Sequence, residues 1–333
     1  MNKKEVKAIV TALSPISHGQ IRAKDDGDTE KNILRFRTLP FILEQNGLPI
    51  TKDLYTVSGN SLRGIGRSLL FRHTYEDVLD LDFTKILPDF TPIARRYLVA
   101  TLQNGGVQPK GSSKANKAVP AGTYEEVLDG LPTLDLLGGV YICHHFNGAA
   151  KIGNLTLRAK ETEQLFVKHK IFDKSDTPLP SITSIVVKDS RHTRTQNSQD
   201  ASEFPVLADD KENTEDFKSK AIFGTEVLPA GTQFYWRNLV VTKRPGTILA
   251  FQAMLALIAR NGCIGGMGAK GYGRVAIQFD GLDIEPAIKA YDDYCLAHKK
   301  EAIAAIEKLA TDFKYQLKGD AKEAKSTRKA KES

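Results

Sequence analysis

One fourteen-residue stretch limits this chain's architecture more than any other: Asn261-Gly-Cys-Ile-Gly-Gly-Met-Gly-Ala-Lys-Gly-Tyr-Gly-Arg274. It carries six of the 26 glycines, with Lys270, Tyr272 and Arg274 among them. Glycine reaches positive φ without strain and lets other backbone come close, at an entropic cost that disfavours it inside helices and strands. An apolar helical pattern, Thr247 to Arg260, precedes the run, and an alternating strand from Arg274 to Phe279 follows it. The run is therefore a helix-to-strand loop, with Asn261-Gly262 ending the helix. Gly266 to Gly271 matches G-x-G-x-x-G, but a dinucleotide fingerprint follows a strand and opens a helix, the reverse of this order. Lys270 is followed by Gly271 rather than Ser or Thr, which argues against a P-loop. What remains is a basic glycine-rich loop suited to a phosphate backbone.

Charge distribution agrees with that partner. The chain's formal charge is +7, but the segment from Gln199 to Phe217 holds seven acids against Lys211 alone. That local net of −6 leaves +13 on the rest of the 333 residues, a balance that favours polyanions. Three widely spaced cysteines, Cys143, Cys263 and Cys295, give neither a disulfide framework nor a CxxC pair. The opening Met1-Asn-Lys-Lys-Glu5 is too charged for a signal peptide, and no apolar run reaches membrane-spanning length. A soluble, cytoplasmic protein with no membrane partner is expected.

A second informative stretch is Tyr55-Thr-Val-Ser-Gly-Asn-Ser-Leu-Arg-Gly-Ile-Gly-Arg67. A strand ends at Val57, Ser58-Gly59 turns the chain, and Asn60 or Ser61 is the expected N-cap. Leu62, Ile65, Leu69 and Leu70 make the helix's apolar stripe, with Arg63 and Arg67 four apart on another face. A helix N-terminus preceded by Ser-Gly can hold an anion; the same residues also suit a capped surface helix with exposed arginines. Glu5 to Leu13 reads as a strand with Val6, Ala8 and Val10 inward, and Arg35-Phe-Arg37 interleaves cation and aromatic in a way that suits bases and phosphates. Asp25, Asp26 and Asp28 could hold a metal, but they miss the calcium-loop pattern and read better as a solvated loop. Cys143, His144 and His145 lack further ligands at zinc spacing, so neither metal nor cofactor is expected.

The two ends combine into an α+β, ferredoxin-like core: strand, turn and helix within 5–72, then strand (Gly231 to Val241), helix, loop and strand. The expected division is a split core at 1–74 and 220–283, an inserted finger or helical region at 75–183, a hairpin with its acidic loop at 184–219, a helix at 284–317 and a basic tail at 318–333. Lys110, Lys114 and Lys117 lie in a Gly/Ser-rich loop of the insertion, and Lys151 to Lys160 resembles a strand with Leu155 and Leu157 inward.

Val57-Ser-Gly-Asn-Ser-Leu-Arg-Gly64, paired with Gly265-Gly-Met-Gly-Ala-Lys-Gly-Tyr-Gly-Arg-Val275, resembles the RAMP superfamily of CRISPR-associated RNA-binding proteins. Leu228-Pro-Ala-Gly-Thr-Gln-Phe234 resembles the start of a strand common in that family, and Ile185 to Thr195 its thumb hairpin. Within the superfamily the likeness is greatest to the type IV effector backbone subunit, with the type I-D equivalent next. The resemblance implies an RRM-like palm and a non-catalytic subunit whose copies polymerise along a CRISPR guide RNA beside other effector subunits, the guide then pairing with target nucleic acid. By this likeness Ser58, Asn60, Ser61, Arg63 and Arg67 hold phosphates, as do Gly265, Gly266, Met267, Gly268, Lys270, Gly271, Tyr272 and Arg274. His18 makes a contact from the first loop, and Arg191, His192 and Arg194 belong to the thumb. The enzymatic alternative is a metal-dependent RNase of type III kind using an aspartate among Asp25, Asp26 and Asp28; a dinucleotide-binding enzyme is the more distant one.

Overall fold

The computed structural model describes residues 1–20, 33–45, 48–90, 92–106, 117–118, 124–141, 144–185, 188–194, 221–266 and 268–311. Strand β1 (Asn2–Ala12) alternates as its sequence requires: Val6, Ala8, Val10 and Ala12 are buried, while Lys7, Ile9 and Thr11 are only half-buried. Short β2 (Gly19–Gln20) and β3 (Ile33–Phe36) precede a long hairpin of β4 (Thr38–Gln45) and β5 (Leu48–Val57), which feeds α1 (Gly59–Phe71). A π-helical segment, Arg72–Val78, continues α1 into the insertion. There α2 (Phe83–Ile86), α3 (Pro92–Asn104), α4 (Glu125–Gly130) and α5 (Pro132–Leu137) accompany a small sheet of β6 (Lys117–Ala118), β7 (Gly139–Tyr141) and β8 (His144–Phe146). The chain then forms β9 (Ala150–Ile152), β10 (Leu155–Leu157) and α6 (Lys160–Lys168). After these come β11 (Lys188–Arg194), β12 (Ala221–Val227), β13 (Gln233–Thr242), α7 (Pro245–Asn261), β14 (Val275–Asp280) and α8 (Ile284–Ala297). A last helix, α9, covers 299–311.

The main sheet runs β14-β1-β13-β10-β5-β4, with β9 also paired to β13. Because β1, β9 and β10 all run antiparallel to β13, they are parallel to one another. Counting β1, β9/β10, β13 and β14 as first to fourth, the order is fourth, first, third, second, with α1 and α7 as the two crossovers: the ferredoxin-like plan. The architecture is thus α+β, as expected. Two boundaries differ from expectation. Residues 150–157 do not belong to the insertion, because they supply the second core strand. Residues 221–227 are not core either: β12 pairs with β11, in a four-stranded sheet ordered β11-β12-β3-β2. The expected helix at 284–317 is divided at His298, which stacks on Tyr294.

The core lies between the sheet and helices α1 and α7. Leu62, Leu70 and Phe71 from α1 and Phe251, Met254, Leu255 and Ile258 from α7 are buried with Phe234, Trp236 and Val240 of β13. Each such side chain contributes about 1.5–3 kcal/mol on burial. The helices meet closely at Gly66, where an added Cβ would sit 2.8 Å from Met254 Cγ. The insertion is fastened to the start of α7 by ions: Arg244 binds Glu125, Asp129 and Asp135, and buried Asp135 also accepts from the Thr242 and Thr247 hydroxyls. No described helix is long and apolar enough to cross a membrane.

Candidate nucleic-acid interface

The second core strand is broken at Gly153-Asn154. Gly153 packs so close to β13 that an added Cβ would lie 2.2 Å from Arg237 O. Its N–H donates to Asn238 Oδ1 at 3.2 Å, and its carbonyl accepts from Trp236 Nε1 at 3.0 Å. This break presents Asn154 to the start of α1, where its Oδ1 accepts from Gly59 N–H at 2.7 Å. Ser58, not Asn60 or Ser61, is the N-cap: its backbone is extended (φ −62°, ψ 131°), and its Oγ accepts from Asn60 N–H at 3.2 Å. Ser58 N–H in turn donates to His18 Nε2 at 3.1 Å. Leading N–H groups of the helix are therefore already engaged, and this end is not the open anion cradle that the sequence suggested. Asn154 was missed; its only local signal is the Gly-Asn turn dipeptide between two short apolar runs.

His18 must be unprotonated at Nε2 to accept that bond. Burial, then the nearby charge of Arg37, holds its pKa below the ordinary histidine value. Its ring meets Phe36 edge-on at 6.1 Å.

The expected phosphate-binding arginines of α1 have other partners. Arg67, 9% exposed, donates from Nη1 to Gly138 O (2.7 Å) and from Nη2 to Leu137 O (2.8 Å). Arg63 also donates to Leu137 O. Both guanidiniums thus cap the C-terminal end of α5, where carbonyls lack helical partners and the helix dipole is negative. Burial, then the charge of Arg63, lowers the Arg67 pKa to about 10. The i,i+4 spacing of Arg63 and Arg67 does place both on one face, and the inserted α5 covers that face.

The glycine loop folds back on itself and on the first loop. Cys263 bridges to Arg274, and Ile264 N–H donates to Gly273 O at 2.8 Å. Gly266 N–H donates to Ser17 O at 2.7 Å, Gly273 N–H to Pro15 O at 2.8 Å, and Arg274 N–H to Ser14 Oγ at 2.9 Å. Gly265 (φ +79°) and Gly273 (φ +82°) serve this seam: an added Cβ would meet Ser17 O at 2.4 Å or Ile264 O at 2.0 Å. Gly268 and Gly271 face open space, around a single 3-10 turn at Gly268–Lys270. Lys270 and Arg274 are exposed, and among the described residues neither is paired with a carboxylate. Tyr272 is half-buried. Met267 lies outside the described residues, as do Asp25, Asp26, Asp28, Lys110, Lys114, Cys143, the acidic segment and the tail.

Ser14 to His18 thus joins the two sequence stretches: Ser17 holds the glycine loop and His18 the start of α1. Exposed Asn60, half-buried Ser61, Lys270 and Arg274 border this seam. Beside it rises the β11–β12 ladder, anchored where Ile16 bridges to Leu228. Arg191, His192 and Arg194 lie on β11, in register with Gly224, Phe223 and Ala221. Among the described residues no three His, Cys, Asp or Glu side chains gather where a metal ion could be held.

No protein-family model matches the sequence, and no curated protein matches it either. Among solved structures, a chain described as "Type IV-B CRISPR Complex" superposes with a TM-score of 0.51 at 16% identity, over 84% of this chain and 91% of that one. The two share a fold. The overlap takes in more residues than the ferredoxin-like core alone contains.

Proposed function

We propose that this chain is a non-catalytic, RNA-binding backbone subunit of a CRISPR effector complex. One observation carries the reading: this chain shares its architecture along most of both chains with a protein of a type IV-B CRISPR complex, and its own glycine loop bears exposed cations that no described carboxylate pairs. Lys270 and Arg274 meet the phosphates of the guide, and the open surface at Gly268 and Gly271 lets the strand lie close. Such contacts hold backbone and leave sequence to base pairing. Copies of the chain sit side by side along the guide with other effector subunits, and the β11–β12 arm reaches over it. Arg63 and Arg67 keep the insertion attached to α1 and stand behind the groove.

The test is purification from cells that carry a CRISPR array. A discrete-length RNA should accompany the protein and be lost in Lys270→Glu at unchanged fold. Absence of RNA from the wild-type protein would refute the reading. Periodic cleavage of complementary RNA in Mg²⁺, abolished by Asp28→Ala, would replace it with the nuclease alternative.

A further inference from the structure

The Arg35-Phe36-Arg37 triplet divides sharply in the fold. Phe36 is buried, and its N–H donates to Glu226 Oε2 at 2.7 Å. Arg37 follows, between β3 and β4, where the backbone is locked from two sides: its N–H donates to His18 O (2.9 Å) and its carbonyl accepts from Thr56 N–H (3.0 Å). Those two partners lead directly to the seam, since His18 bonds Ser58 and Thr56 lies two residues before it. The Arg37 side chain is half-buried, and among the described residues it is paired with no carboxylate.

The seam has a matching gap in charge. Lys270 and Arg274 supply cations at the glycine-loop end. At the helix end Arg63 and Arg67 are engaged with α5, and His18 is held neutral as an acceptor. An RNA strand crossing the seam from Lys270 toward Asn60 would meet no helix-borne cation in its second half. Arg37 lies at that end, on a backbone fixed by two hydrogen bonds and with its charge near enough to His18 to lower that residue's pKa.

We infer that Arg37 is the phosphate-holding cation at the helix end of this groove, taking a phosphodiester of the bound single RNA strand. This assignment rests on the RNA-binding reading above. A guanidinium suits the role because it presents paired donors to two phosphate oxygens and keeps its charge when partly buried.

The experiment is fluorescence anisotropy of the full chain with a single-stranded RNA across a salt series, for wild type, Arg37→Gln and Arg37→Lys. Loss of one phosphate contact should reduce the slope of log K against log salt by about 0.7 in Arg37→Gln and weaken binding roughly tenfold near physiological salt. Arg37→Lys should retain the slope and recover part of the affinity. Melting midpoints should stay within a few degrees of wild type, since both backbone bonds of residue 37 persist. Wild-type affinity and slope in Arg37→Gln would overturn this assignment alone, as would a large fall in melting midpoint with unchanged slope. Failure of the wild-type protein to bind RNA would overturn it together with the RNA-binding reading.

Discussion

Arg67 separates a structural role from an RNA role most cleanly. Truncation in Arg67→Ala removes donors at 2.7 and 2.8 Å from two carbonyls at the end of α5. Leu137 O retains Arg63 as a donor, whereas Gly138 O is left, among the described residues, with no side-chain donor. Hydrogen bonds from charged donors are worth about 1.5–3 kcal/mol each, and removal of the buried stem adds lost packing. Against this, burying the guanidinium is itself costly, as its lowered pKa reflects, and that cost disappears with the charge. The net loss should be about 3 kcal/mol, with Arg67→Met losing less because it refills the space. Urea unfolding at constant m-value measures this directly. RNA affinity of the protein that remains folded should stay within about twofold of wild type, because no phosphate contact has been removed. Wild-type stability combined with a tenfold or greater loss of RNA affinity would refute the reasoning and return Arg67 to the groove.

Two further perturbations probe the seam. Gly271→Ala should cost about 1–2 kcal/mol, the strain of a left-handed residue in open space; Gly273→Ala, whose Cβ would fall 2.0 Å from Ile264 O, should cost clearly more. Equal shifts in urea midpoint would contradict the close approach. The lowered His18 pKa makes the unfolded chain bind a proton more readily than the folded one, so His18 should contribute stability that is present above pH 6.5 and lost as pH falls toward its folded value. His18→Gln should flatten the stability profile in that window, and an unchanged slope would show that His18 is not held neutral.

Periodicity made much of this fold legible. The alternation of Val6, Ala8 and Val10 marked β1, and the apolar run before Gly262 marked α7, because both elements are buried along a continuous face. Leu155 and Leu157 marked a strand, but strand order depends on pairing with β13, some eighty residues later, which no local pattern encodes. The same limit applies to Arg63 and Arg67. Their spacing predicts a shared face, while the α5 terminus that covers it comes from an insertion whose docking is a long-range event. The glycine loop was half legible: its openness at Gly268 and Gly271 agrees with a surface for a ligand, yet Gly265 and Gly273 are required by Ser17 and Ile264. A glycine's neighbour, protein or ligand, leaves no trace in its own identity.

During synthesis β1 leaves the ribosome long before either strand that flanks it. Its partners β13 and β14 begin at residues 233 and 275, and the bond from Arg274 N–H to Ser14 Oγ spans 260 positions. Until those residues emerge, β1 has two unpaired edges and Ser17 has no loop to hold. A stalled or truncated chain can present the α1 motif but not the seam that the glycine loop completes. Completion of the glycine loop and closure of its bonds to Ser14, Pro15 and Ser17 are therefore one event, so on the proposed role an unfinished copy would offer no complete RNA-binding surface.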